Sequence, residues 1–150
     1  MTSRRSSPLN GRPILIAVVD AAPLYAAADE EDANHERSLE TLERDDLELV
    51  MPALVIAEAT YLVGRRLGPL AEARFLADFE NHDVEAPTAA DWRRIAELVE
   101  RYADFPLGGA DASVVALAER LDTDIVVTFD HRHFAAIRPH HREAFTLLPE

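Results

Sequence analysis

The chain has 150 residues, 48% of them hydrophobic, and a formal net charge of −13, values that fit one globular domain with a buried core. Cysteine is absent and all 15 basic residues are arginine. This excludes disulfides, thiolate zinc sites, P-loop lysines and Schiff-base lysines. No segment approaches the roughly 18 consecutive apolar residues of a membrane span, and no apolar signal-peptide segment accompanies Arg4 and Arg5. We therefore expect a cytoplasmic protein without membrane contacts.

The first half of the chain predicts alternating strands and helices. Residues 1–13 are polar and are predicted to be a disordered lead-in, so that residues 14–150 form the domain. The continuous apolar run Ile14–Val19 indicates a buried parallel strand. The other elements predicted here are a helix after Asp20, helices at Asn34–Arg44, Pro52–Leu67 and Leu70–Phe79, and short strands at Leu47–Met51 and Val84–Glu85.

The second half continues this alternation. Thr88 is predicted to cap a helix that ends near Tyr102, with Asp91 completing a capping box. The remaining predicted elements are a helix at Asp111–Leu121, a strand at Asp124–Phe129 and an edge strand at Phe145–Leu148. The pattern predicts an α/β domain with a mainly parallel central sheet flanked by helices on both faces.

Four acidic residues each follow an apolar run: Asp20, Glu58, Asp111 and Asp130. A carboxylate beside buried apolar sequence is costly unless it is paired or holds a metal ion. Ligands of open parallel sheets bind at the carboxyl ends of the strands, where Asp20 and Asp130 are predicted to lie. Clustered oxygen ligands favour Mg²⁺ or Mn²⁺ and phosphoryl-transfer chemistry.

Each of these acids also has an ordinary structural interpretation. Asp20 and Asp111 are suitable helix caps. Glu58 is a common type of exposed helix residue, and Asp130 is a common turn residue. The ordered set of all four nevertheless favours one site that is assembled by folding.

Other polar and aromatic residues are weaker candidates for a functional role. Asp104 is interpreted as a loop residue or as a neighbour of the metal ligands. His131 and His133 lie on a predicted loop, where structural or substrate-facing roles are favoured over metal ligation. Aromatic side chains predicted to belong to the core are Phe75, Phe79, Trp92 and Tyr102.

Four segments resemble the motifs of PIN-domain ribonucleases, in particular the VapC toxins of bacterial toxin–antitoxin pairs. They are residues 18–20, 52–58, 107–113 and 127–134, and each contains one of the four acids. The resemblance implies a PIN-like three-layer fold in which Asp20, Glu58, Asp111 and Asp130 bind Mg²⁺ or Mn²⁺ and activate water to cut RNA. The chain departs from many relatives at residues 21 and 22, which are both alanine where a serine or threonine often follows the first aspartate.

The resemblance also implies partners. It predicts a VapB-type antitoxin whose tail lies in the site through a basic side chain, and a homodimer or a larger hetero-oligomer with this antitoxin. The excess of acid fits such a partner. The apolar face for the antitoxin helix is predicted at Leu39, Leu42, Leu62 and Leu67. Thr128 is predicted to bond a ligand carboxylate or a phosphate oxygen, and the predicted RNA backbone contacts are Arg65, Arg66, Arg93 and Arg132.

Three other functions remain open from the sequence. A PIN-fold phosphohydrolase would also use clustered acids and Mg²⁺, but would turn over small phosphate esters. An RNA-processing nuclease outside a toxin–antitoxin system would share the same chemistry. An inactive PIN binding module is disfavoured because all four acids are present. The net charge of −13 disfavours nucleic acid at first, but loading a metal would create a local positive site.

Overall fold

The computed structural model describes residues 11–150 and centres on a five-stranded parallel sheet. The strands are β1 (Leu15–Val19), β2 (Leu47–Pro52), β3 (Asp83–Glu85), β4 (Ile125–Val127) and β5 (Thr146–Leu148). Their spatial order is β3-β2-β1-β4-β5, and every neighbouring pair is parallel. The predicted α/β class is therefore confirmed, and the short segments near residues 84 and 147 are the two edge strands.

The helices pack around this sheet and on one another. They are α1 (Ala21–Ala28), α2 (His35–Leu42), α3 (Ala53–Leu67), α4 (Pro69–Asp78), α5 (Ala89–Arg101), α6 (Gly109–Arg120) and α7 (His131–Ala136). Helix α1 packs on α2 and α3, α3 also packs on α4 and α6, and α6 packs on α5. No helix within residues 11–150 combines the length and apolarity needed to cross a membrane.

Strand β1 and helix α6 both contribute buried segments to the centre of the core. Ala17, Val18 and Val19 are fully buried, as expected for a central parallel strand that is covered on both faces. Val18 lies opposite Val50 of β2 and Val126 of β4 in the sheet register. Helix α6 buries every residue from 112 to 118 and contacts β1, β2 and β4. This packing fixes the end of β1 relative to the start of α6, which are the two places that carry Asp20 and Asp111.

Two helices near the acidic residues differ from the sequence prediction. Helix α6 begins at Gly109 with Gly108 as its N-cap, so Asp111 is its third residue rather than its first. Residues 131–133 lie in helix α7, so the predicted loop is wrong. Six residues are too few to show a helical period, but Asp130 is the N-cap and marks where α7 begins.

Helix α5 confirms one local prediction and corrects another. The capping box is present, since Asp91 N–H donates to Thr88 Oγ1 at 3.1 Å and Thr88 N–H donates to Asp91 Oδ2 at 3.0 Å. Trp92 is 50% exposed, so its predicted place in the core is wrong. The helix turns Asp91, Ile95 and Leu98 inward, and Trp92 follows the buried Asp91 on the outer side. The predicted lead-in lies mostly outside the described residues, and its disorder stays a prediction.

Candidate active site

Asp20 is a buried carboxylate between β1 and α1. It is 5% exposed, and its backbone N–H donates to the Val127 carbonyl at 2.9 Å, which ties the end of β1 to β4. The Thr128 hydroxyl donates to Asp20 Oδ2 at 2.8 Å. Burial raises the pKa of Asp20 to about 6, although the Thr128 hydroxyl and the Ala21 N–H lower it; nearby Asp111 contributes to the rise. Among the described residues no arginine forms an ion pair with this carboxylate.

Asp111 and Glu58 come from the two helices that flank this point. Burial raises the pKa of Asp111, and the charges of Glu58 and Asp130 raise it further. The Gly108 N–H and His133 act in the opposite direction on that pKa. Glu58 lies on α3 with an exposed side chain, but partial shielding of its carboxyl and the charge of Asp20 raise its pKa. These mutual effects show that the fold brings the predicted acids within electrostatic reach of one another.

Asp130 is the N-cap of α7 and shares a hydroxyl with Asp20. Its N–H donates to Thr128 Oγ1 at 2.9 Å, and this same hydroxyl donates to Asp20. Its carboxylate accepts the His133 N–H at 3.1 Å and faces His133 Nδ1 at 2.8 and 2.7 Å from its two oxygens. The imidazole packs on Phe105 with ring centroids 4.6 Å apart. Sequence reasoning gave His133 no specific partner and missed Phe105, although the three-residue spacing from Asp130 was a usable signal.

The donor chemistry of the cluster fits a divalent cation. All four predicted ligands are carboxylates, and three of them have raised pKa values because burial and like charges oppose ionisation. A bound cation reverses both effects. Within residues 11–150, however, no three carboxylate or imidazole groups are close enough to enclose a metal ion. Metal ligation by Asp20, Glu58, Asp111 and Asp130 therefore stays a prediction.

The remaining predicted polar residues lie around or away from this cluster. Asp104 is exposed in the turn between α5 and α6. His131 Nε2 lies 3.1 Å from the Thr128 carbonyl oxygen, so it supports the backbone beside the site. His141 Nε2 lies 2.7 Å from the Thr123 carbonyl oxygen, which is a structural contact.

Two of the four arginines predicted to bind RNA make contacts within the protein. Arg65 donates to the Tyr61 hydroxyl at 2.8 Å, and Arg66 stacks over the Tyr25 ring at 5.0 Å. Arg93 and Arg132 are exposed. Contact with RNA stays a prediction for all four.

The predicted apolar face for a partner helix is partly wrong. Leu42 is buried in the core, and Leu39, Leu62 and Leu67 are half-buried. The sequence pattern marks these leucines as apolar helix positions, but it does not show which neighbouring elements cover them. The large exposed apolar side chains of α3 and α4 are Tyr61, Leu70 and Leu76.

The fold and the acidic cluster define an α/β domain with a carboxylate site at the carboxyl edge of a parallel sheet. The PIN domain family model matches residues 17–138, and Ribonuclease VapC26 of Mycobacterium tuberculosis (strain ATCC 25618 / H37Rv) is 34% identical over 134 residues, 88% of this chain and 99% of that protein. The chain belongs to the PIN-domain family and is similar to its VapC ribonucleases.

Solved structures show the same fold at lower identity. Mycobacterium tuberculosis VapC20, a Sarcin-Ricin loop cleaving toxin, superposes with a TM-score of 0.69 at 22% identity, covering 76% of this chain and 89% of the other. VapBC2 from Rickettsia felis, bound to a promoter DNA fragment, gives a TM-score of 0.65 at 16% identity, covering 89% and 97%.

Proposed function

We propose that this chain is the toxin of a VapBC-type toxin–antitoxin pair and hydrolyses phosphodiester bonds in RNA. The observation that carries the proposal is the buried Asp20, which lacks an arginine partner among the described residues and is coupled to Asp111 and Asp130. Burying a carboxylate without a cationic partner is costly, and carboxylates with shifted pKa values are concentrated at functional sites. The similarity to Ribonuclease VapC26 supports RNA as the substrate class.

The carboxylates of the acidic cluster and Thr128 have separate roles in the proposed reaction. Mg²⁺ or Mn²⁺, held by Asp20, Asp111, Asp130 and Glu58, would supply Lewis acidity and lower the pKa of bound water. Thr128 fixes the Asp20 carboxylate through its hydroxyl. Glu58, exposed and with a raised pKa, is suited to accept the proton of the attacking water. The water oxygen forms the new bond to phosphorus while the scissile phosphorus–oxygen bond breaks, and the leaving oxygen takes up a proton from solvent and departs as a hydroxyl group of the second RNA product.

A basic segment of an antitoxin would bind to the same four carboxylates. Arginine pairs bidentately with carboxylates, so a basic antitoxin tail would satisfy the acids in place of a metal ion and block the substrate. The Rickettsia felis relative, VapBC2, supports a pair of this kind. The net charge of −13 favours a basic partner over bulk RNA. We propose a hetero-oligomer of toxin and antitoxin, with a toxin homodimer as its simplest core.

The test is cleavage of total cellular RNA by the purified chain, with mapping of the cut ends. We expect discrete metal-dependent cuts that are lost in Asp20→Asn and suppressed by the protein encoded beside this gene. Turnover of small phosphate esters without RNA cleavage would instead identify a phosphohydrolase. RNA cleavage without an inhibitory neighbour would identify an RNA-processing nuclease.

A further inference from the structure

His133 makes three contacts with a single carboxylate of the acidic cluster. Its Nδ1 lies 2.8 Å from Asp130 Oδ1 and 2.7 Å from Oδ2, and its backbone N–H donates to Oδ1 at 3.1 Å. A carboxylate that is held from both the backbone and the side chain of one residue has little rotational freedom. The orientation of Asp130 therefore depends on His133.

The imidazole is itself held in place from a second direction. Its ring packs on Phe105 with centroids 4.6 Å apart and the ring planes inclined by 41°. Phe105 lies in the segment between α5 and α6, two residues before the buried Leu107. The ring of His133 thus lies between Asp130 and the segment that leads into α6, and its charge lowers the pKa of Asp111.

The neighbouring histidine of the same turn has a different role. His131 Nε2 faces the carbonyl oxygen of Thr128 at 3.1 Å, which is a backbone contact. No contact between His131 and a carboxylate of the cluster occurs in the described part of the chain. Of the two histidines in this motif, His133 is therefore the one that acts on the site.

We propose that His133 is a positioning residue of the active site, which holds Asp130 through its Nδ1–H while Phe105 holds the ring. The inference rests on the proposed function, since it assigns Asp130 to the nuclease site. An ionised carboxylate only accepts hydrogen bonds, so the hydrogen must be on Nδ1 in this arrangement. Partners that orient ligand side chains in this way typically contribute about 10–100-fold to metal affinity or activity.

The first experiment determines the imidazole tautomer in the metal-free protein. Nitrogen-15 NMR of the full chain should show His133 with its hydrogen on Nδ1 near neutral pH, and Asp130→Asn should change this signal. His140, whose side chain is 63% exposed, provides a reference histidine in the same spectrum. A neutral His133 with its hydrogen on Nε2 would overturn the proposal.

The second experiment separates the Nδ1 donor from the ring. His133→Asn keeps an N–H donor close to the position of Nδ1, whereas His133→Leu removes it and retains the bulk. We expect His133→Asn to stay within about threefold of wild type in Mn²⁺ affinity and RNA cleavage, and His133→Leu to lose about 10–100-fold in both. Phe105→Leu should lose less than His133→Leu, because the Nδ1–H donor remains although the ring that packs on the imidazole is lost. His140→Leu is the matched control and should change neither.

The outcomes are distinguishable from failure of the proposed function. If His133→Leu binds Mn²⁺ and cleaves RNA as wild type does, or if folded His133→Asn loses as much as His133→Leu, His133 does not position Asp130 through Nδ1. If the wild type cleaves no RNA, the proposed function fails. The Mn²⁺ affinities of the variants and the tautomer of His133 then still test whether His133 positions Asp130. If His133→Leu does not fold, His133→Asn and the tautomer provide the decision.

Discussion

Thr128 and Asp20 form a buried hydrogen bond between the ends of two neighbouring strands, with the hydroxyl oxygen 2.8 Å from Asp20 Oδ2. Thr128 has no exposed surface and also accepts the Asp130 N–H at 2.9 Å. One hydroxyl therefore connects the aspartate that follows β1 with the aspartate that caps α7. This bond restrains the Asp20 carboxylate, which the Ala21 N–H also approaches.

Removing this hydroxyl should weaken both the fold and the site. Thr128→Val leaves Asp20 Oδ2 and the Asp130 N–H without their partner, which should cost about 1–3 kcal/mol in the free energy of unfolding. The pKa of Asp20 should rise further because the hydroxyl lowers it. Thr128→Ser is the matched control: it keeps the hydroxyl and should lose only about 1 kcal/mol for one buried methyl group. Urea denaturation measures the free energy of unfolding of both variants. An equal decrease in Thr128→Val and Thr128→Ser would contradict the role of the hydroxyl.

Asp20→Asn should abolish RNA cleavage without unfolding the protein. Losing about 3 kcal/mol of transition-state stabilisation corresponds to roughly 100-fold in rate, so we expect a loss at least that large. The measurement is single-turnover cleavage at matched Mg²⁺ concentration, with circular dichroism to confirm the fold. Asp45→Asn removes the same charge from an exposed loop and should retain wild-type activity. Full activity of Asp20→Asn would show that this carboxylate is not part of the catalytic site.

The stability of the metal-free protein should fall as pH rises from about 4 to 6. Asp20 has a pKa of about 6 in the folded chain against an ordinary 3.8, so in this window the folded state binds a proton that the unfolded state has lost. The free energy of unfolding should therefore be higher at pH 4 than at pH 7, by up to about 3 kcal/mol at about 1.4 kcal/mol per pKa unit. Asp20→Asn should flatten this dependence. Denaturation of both proteins in EDTA at pH 4 and pH 7 measures this dependence. If the free energy of unfolding of the variant changes with pH as much as that of the wild type, other groups cause the pH dependence.

The sequence predicted the parallel sheet and the four acids because both leave local patterns. Ile14–Val19 is a continuous apolar run, and an acid that follows such a run is conspicuous. Helix α7 left no such pattern because it has only six residues and begins with a histidine. The exposure of Trp92 and the contact between Phe105 and His133 depend on tertiary neighbours, which periodicity does not specify.

Chelation should stop RNA cleavage reversibly. Carboxylate ligands without cysteine favour Mg²⁺ or Mn²⁺, so EDTA should abolish activity and either ion should restore it without refolding. Because a cation relieves repulsion among acids with raised pKa values, Mn²⁺ should also raise the melting temperature in a concentration-dependent way. This thermal shift should shrink in Asp111→Asn and persist in Asp45→Asn. Activity that survives exhaustive chelation would refute the metal mechanism.

Association with the antitoxin should slow as ionic strength rises. The chain carries a net charge of −13, and attraction between exposed charges is screened beyond about 8 Å at physiological salt. A basic partner should therefore bind with an on-rate that falls steeply with added salt, while the off-rate, set by short-range contacts, changes less. Binding kinetics against the protein encoded beside this gene, measured across salt concentrations, test this expectation.

The contribution of the acidic cluster to antitoxin binding can be separated from the contribution of the net charge. Asp111→Asn removes one carboxylate that an antitoxin arginine would pair with, so it should speed dissociation. Asp45→Asn makes the net charge less negative by the same one unit, but it lies away from the acidic cluster. It should therefore change only the on-rate, and only slightly. Equal off-rates for both variants would place the antitoxin tail away from the acidic cluster. A neighbouring protein that neither binds nor inhibits at low salt would refute the toxin role and leave the nuclease to be judged by its cleavage of RNA.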